Sequence, residues 1–250
     1  MIDPMNEQQR FWQRALRMLS LGIPREKISA ASETEGRTFQ QEAWDRAMLN
    51  ELKKKQISIN TRLEQIPFII VDTETTGFYP KNGDEIFALA AAKTINGTMK
   101  DFYFTLVCPE KEIPEHISQL TGITMEDVRH APRLKEEMNH FLALMGEGIS
   151  MGYHIAHDLA FINHFLWTNY RTKWTMRFLE LQQVMEAVHR KPFSTLDSAL
   201  EHYRIICEKR HTADGDVQAM VLLWTNLLQE LKQKQIETLH DLYTLLSIYS

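Results

Sequence analysis

Cysteine is nearly absent from this 250-residue chain: Cys108 and Cys207 are the only two, far apart and outside any CxxC pair. That excludes a disulfide framework or a cysteine zinc site and fits a reducing cytoplasm. Long apolar runs are also missing. No stretch approaches the ~18 uninterrupted apolar residues of a membrane span, so no membrane association is expected. The opening MIDPMNEQQR is polar, and no apolar run with a small-residue cleavage site follows it, so no secretory signal is expected. Basic charge is in short supply, with a net charge of −5. This argues against a protein that coats nucleic acid through a broad basic surface. It leaves room for an enzyme that grips a few phosphates and surrounds metal with carboxylates. Residues 1–64 carry 11 Lys/Arg and 9 Asp/Glu, while the remainder carries 17 and 24, so the acidic excess lies behind residue 64. At 44% hydrophobic and 24% charged residues, the chain reads as globular rather than disordered or low-complexity.

Two textures divide the chain. Residues 8–21 place Phe11, Trp12, Ala15, Leu16 and Leu19 near helical spacing, and residues 33–55 do the same with Phe39, Ala43, Trp44, Ala47 and Leu52. These predict a helical N-terminal extension over 1–64, with 56–66 as a linker. Pro67 then opens Phe68-Ile69-Ile70-Val71, a β-branched run suited to a central buried strand. Asn96-Gly97 between two apolar stretches signals a type I′ hairpin. Helical patterns over 113–145, from Asp158, over 194–203, 212–232 and 236–248, with a short strand at 149–152, predict an α/β domain over 65–250 with a mixed sheet.

The candidate chemistry begins where the buried run ends. Asp72 and Glu74, two apart on a strand, point to the same face. Two neighbouring carboxylates repel unless a cation lies between them, and a divalent metal with hard oxygen ligands is the usual answer. D-x-E alone is weak: Glu33/Glu35 and Glu110/Glu112 share the spacing in polar surroundings. Asp158, at the start of an apolar helix, reads on its own first as a cap or dipole partner. His211 and Asp216 bracket the start of the long helix, with His211 inside the polar stretch Glu208-Lys209-Arg210-His211. Taken together, four carboxylates and one histidine are enough for two Mg²⁺ or Mn²⁺ ions and a proton acceptor that works near neutral pH.

These residues carry a resemblance. Val71-Asp72-Thr73-Glu74-Thr75-Thr76-Gly77 resembles the first motif of the DnaQ-like 3′–5′ exonucleases of the DEDDh group. Leu120-Thr121-Gly122-Ile123-Thr124, Asp158-Leu159-Ala160-Phe161 and His211-Thr212-Ala213-Asp214-Gly215-Asp216 resemble later segments of that family, over roughly residues 65–232. The resemblance implies a ribonuclease-H-like mixed sheet of about five strands flanked by helices. It implies that Asp72, Glu74 and Asp216 bind one of two divalent metal ions, and that Asp72 with Asp158 serves the second. His211 would be the general base. Thr75 would lie against the 3′-terminal nucleotide and Phe78 under its base. The family pattern is not matched everywhere: Tyr153-His154 stands for its usual His-Asn, His157 for a frequent Phe, and Glu180-Leu181 for a common Asp-Thr.

The function so implied is metal-dependent hydrolysis at single-stranded or frayed nucleic-acid 3′ ends, with DNA the expected substrate and nucleoside 5′-monophosphates the products. An RNA-trimming exonuclease shares the same site. A non-catalytic scaffold of this fold is disfavoured because all five residues are present. The apolar residues of 1–64 are too many to stay wet. They are expected to pack on the following domain or on a partner, a DNA polymerase or a second copy of the chain.

Overall fold

The computed structural model describes residues 57–249. The expected helices of the N-terminal extension therefore lie outside the described residues. Strand β1 (Phe68–Thr75) is central, flanked by antiparallel β2 (Ile86–Ile95) and parallel β4 (Ile149–Gly152). Strands β3 (Thr98–Leu106) and β5 (Phe178–Glu180) form the edges, giving the order β3-β2-β1-β4-β5. The expected α/β class and mixed five-stranded sheet are both found. The hairpin is also where Asn96-Gly97 put it, with both residues in the left-handed conformation at φ 51° and 70°, as a type I′ turn requires.

Helices α1 (Glu115–Thr121), α2 (Met125–Val128) and α3 (Leu134–Met145) follow the hairpin. Helix α4 (Ile155–Tyr170) links β4 to β5, and α5 (Leu181–His189), α6 (Leu196–His202), α7 (Ala213–Gln233) and α8 (Leu239–Ile248) complete the described residues. Strand alternation splits the core into two layers. Phe68 and Ile70 join Ala88, Ala90 and Ala92 against α7, where the rings of Phe68 and Trp224 stand 4.6 Å apart. Ile69 and Val71 join Leu89 and Ala91 against α3 and α4. The alanines of β2 keep that strand's surface low, so the helices pack close. Among the described residues no helix is long and apolar enough to cross a membrane.

Two expectations shift. The segment read as a linker, in its described part from residue 57, is packed. Leu63 and Ile66 are buried in the core, Arg62 bridges to Thr238, and the Leu63 N–H donates to Glu237 O at 2.7 Å. Its partners lie some 175 residues further along the chain, so no local periodicity announces them. Helix α4 starts at Ile155 rather than at Asp158, because its first N–H groups are capped by a distant side chain described below.

Candidate active site

The alternation that buries Phe68 and Ile70 against α7 carries Asp72 and Glu74 to the same face as the strand runs out of its apolar stretch. The register of β1 against β2 shifts between Glu74 and Thr75. Such a bulge re-aims side chains at a strand end. Asp216 comes from the first turn of α7 and is buried. Carboxylate oxygens of Asp72, Glu74 and Asp216 lie within 4.8 Å of one another. These are three hard oxygen donors at a spacing that a Mg²⁺ or Mn²⁺ ion can bridge.

Asp158 arrives from the opposite layer. It is the fourth residue of α4, buried at 3% exposure, and its Oδ1 accepts a 2.7 Å hydrogen bond from Thr73 Oγ1. Thr73 is the one β1 residue between Asp72 and Glu74, so alternation turns it away from their face toward α4. One strand thus positions three carboxylates, two directly and one through a hydroxyl.

Electrostatics record the crowding. Burial first, and then the charges of Asp158, Glu74 and Asp216, raise the Asp72 carboxyl well above its usual range. Burial and the neighbouring Asp216 and Asp158 push Glu74 up to about 8. Asp158 is pushed up to about 7 by burial, against the opposing hydrogen bond from Thr73. Asp216 is raised by burial, with Arg210 pulling the other way. A cation close to carboxyls raised in this way would favour their charged forms.

His211 sits at φ 60°, immediately before Thr212, the residue whose hydroxyl caps α7. It lies close enough to help hold the Asp216 carboxyl down against the effect of burial. The 209–211 loop lies hard against the first turn of the helix: a Cβ on Gly215 would stand 1.9 Å from Lys209 O. Only glycine admits this approach, which brings His211 next to Asp216.

Thr75 and Phe78, the residues expected on the substrate side, lie at the end of β1 and in the loop that follows it. Thr75 Oγ1 donates to Gly77 O at 2.7 Å and stands 3.3 Å from His157 Nε2. Phe78 is 74% exposed with its ring 5.8 Å from that of His157, and Tyr79 beside it is 65% exposed. Their loop is pinned by Asp84, which accepts from the Tyr79 N–H at 2.9 Å and pairs with Lys111.

Two residues named from the sequence make contacts that the sequence does not show. Arg210, read as part of a solvated stretch, is bonded to Asp216 Oδ1 and donates to Asp197 Oδ1 at 2.6 Å. The only available signal was its adjacency to His211. Glu180 caps two helices at once, accepting from the N–H groups of His154 and Ile155 at 2.8 and 3.0 Å and of Gln182 at 3.3 Å. It fixes the start of α4 and hence the placement of Asp158.

The chain matches known proteins over this region. The profile of the exonuclease family, RNase_T, covers residues 69–224. A PolC-type DNA polymerase III of Thermotoga petrophila is 24% identical over 191 residues, covering 76% of this chain and 14% of the relative. The DNA polymerase III subunit epsilon of Aquifex aeolicus is 33% identical over 111 residues, covering 44% of this chain and 54% of the relative. The chain thus spans less than two thirds of the length of either relative. Among solved structures, the nuclease domain of 3'hExo, described as a DEDDh family member bound to rAMP, superposes with a TM-score of 0.59. It is 17% identical and covers 66% of this chain and 93% of that domain. That likeness is one of fold.

Proposed function

Because the chain belongs to the exonuclease family, whose profile spans residues 69–224, we propose that it is a metal-dependent 3′–5′ exonuclease releasing nucleoside 5′-monophosphates. The observation that carries this reading is the convergence of Asp72, Glu74 and Asp216 within 4.8 Å, with His211 near enough to the last of them to act on its charge. The donor set fits divalent metal: every donor is a carboxylate oxygen, and burial holds their carboxyls above the usual range. Asp72, Glu74 and Asp216 would hold one ion, and Asp72 with Asp158 the second. Bound there, Mg²⁺ or Mn²⁺ supplies electrostatic stabilisation of the attacking and leaving oxygens of a phosphodiester.

The chain's own residues supply the rest. Thr73 holds Asp158 through its hydroxyl. The His211 imidazole takes the proton from the attacking water. Phe78, exposed in the loop after β1, stacks on the terminal base, a contact that tolerates any sequence because every base offers a π-face. Thr75 lies against the same nucleotide. DNA is favoured as substrate by relatives named as DNA polymerase III proteins. Of residues 1–64, we assign the part before residue 57 to attachment, to a polymerase or to a second copy. A cytoplasmic setting agrees with the free thiols of Cys108 and Cys207.

Single-turnover hydrolysis by His211→Ala tests this assignment. The variant keeps all four carboxylates, so metal binding should persist while the chemical step slows by roughly 10²–10⁴-fold. Near-normal turnover in the variant would remove His211 from the mechanism.

A further inference from the structure

Arg210 is a cation already in the acidic site. Its Nη1 is bonded to Oδ1 of Asp216, a member of the carboxylate cluster. Its Nε donates to Oδ1 of Asp197 at 2.6 Å, in the first turn of α6. The Arg210 side chain is 19% exposed and that of Asp216 11%, whereas Asp197 is 61% exposed. The guanidinium therefore has one end on the buried site and the other on a carboxylate facing solvent. An arginine keeps its charge at every working pH, so this neutralisation is permanent unless the side chain moves. Gly215 holds the backbone of the 209–211 loop against α7, so any movement falls to the side chain itself.

We propose that Arg210 is an exchangeable counter-cation of the metal site: it sits on Asp216 in the metal-free protein, yields that carboxylate when a divalent ion binds, and is retained by Asp197. This rests on the metal-site reading above. Two cations cannot share one buried carboxylate without mutual repulsion, so Arg210 weakens the site's hold on metal. Asp197 moderates the effect by offering the displaced guanidinium a partner outside the cluster. The competing idea, that Arg210 orients Asp216 as a metal ligand, demands the opposite sign: its removal would loosen the site.

The test is calorimetric titration of Mn²⁺, with no nucleic acid, into full-length protein stripped of metal. R210Q should bind Mn²⁺ about tenfold more tightly than wild type, the order set by a single and a double positive charge ~5 Å apart at water-like dielectric. It should also melt at a lower temperature than wild type when metal-free, and gain more from added Mn²⁺. D197N should shift affinity the other way, several-fold weaker, because Asp216 becomes the carboxylate on which Arg210 must stay. In the R210Q background, D197N should change nothing further. Equal or weaker Mn²⁺ binding by R210Q overturns the proposal while leaving the metal site standing. Should R210Q fail to fold, D197N binding Mn²⁺ like wild type overturns it equally. No Mn²⁺ binding by wild type or R210Q would remove the metal-site reading and this proposal with it.

Discussion

Replacing Asp72 by Asn should make the metal-free protein more stable. The substitution keeps the shape of the side chain and removes one negative charge from a group of three whose oxygens lie within 4.8 Å. Two full charges at that separation repel by about 3.5 kcal/mol at an effective dielectric of 20. Arg210 offsets part of this through Asp216. Partial protonation offsets more, since burial and mutual repulsion raise Asp72 and Glu74. A gain of about 1–2 kcal/mol at pH 8 remains after those offsets, which corresponds to roughly 2–8 °C in melting temperature for a domain of this size. The assay is thermal unfolding in EDTA, repeated with excess Mn²⁺. Metal at 100 times its dissociation constant should stabilise wild type by about 2.7 kcal/mol and the variant far less, so the order of melting temperatures reverses. A variant less stable than wild type in EDTA would refute the reasoning, because it would mean that the Asp72 charge is satisfied without metal.

Three further outcomes follow from the same geometry. Metal-free wild type should lose stability as pH rises from about 4.5 to 8. Glu74 and Asp158 have folded values, about 8 and about 7, above their ordinary ones, so they favour the fold while protonated and cease to as pH passes those values. A flat melting temperature over that range in EDTA would contradict it. Phe78→Ala should leave stability unchanged, since the ring is 74% exposed, yet raise KM on single strands by about 5–150-fold, the worth of one stacked base; an unchanged KM would take Phe78 out of the substrate path. Glu180→Ala should lower the melting temperature by roughly 2–8 °C, as three backbone N–H groups lose their acceptor at about 1–2 kcal/mol for a lost cap. It should also weaken Mn²⁺ binding through the loosened start of α4. A stable variant would show that water replaces the carboxylate.

What the sequence made legible was what it encodes locally. The Phe68–Val71 run announces a buried central strand, and alternation alone puts Asp72 and Glu74 on one face. Asn96-Gly97 fixes the hairpin because its turn demands left-handed residues. The order of the five candidate residues suggested a shared site, and Asp72, Glu74 and Asp216 do converge. What stayed hidden depends on contacts across the chain. The sequence places the start of α4 too late because its cap, Glu180, lies 26 residues beyond His154. The stretch around Leu63 looked like a linker because its partners, Glu237 and Thr238, lie near the other end of the chain. Arg210 looked solvated because its neighbours in sequence are polar, whereas its neighbours in space are Asp197 and Asp216. The different fate of Asp158, tied to Thr73 from the other layer, could not be read from spacing either.

Metal-dependent hydrolysis at a 3′ end shows in one assay, which uses the full chain and a single-stranded DNA carrying a 5′ label, beside an RNA of the same sequence. Each is incubated with Mg²⁺, Mn²⁺ or EDTA and resolved to single nucleotides. The expected result is a ladder shortening one nucleotide at a time from the 3′ end of DNA with either metal, nucleoside 5′-monophosphates as the released product, and no reaction in EDTA. Shortening of RNA in place of DNA would move the substrate assignment and leave the chemistry. Cleavage that persists in EDTA, begins at the 5′ end, or falls within the strand would contradict the account.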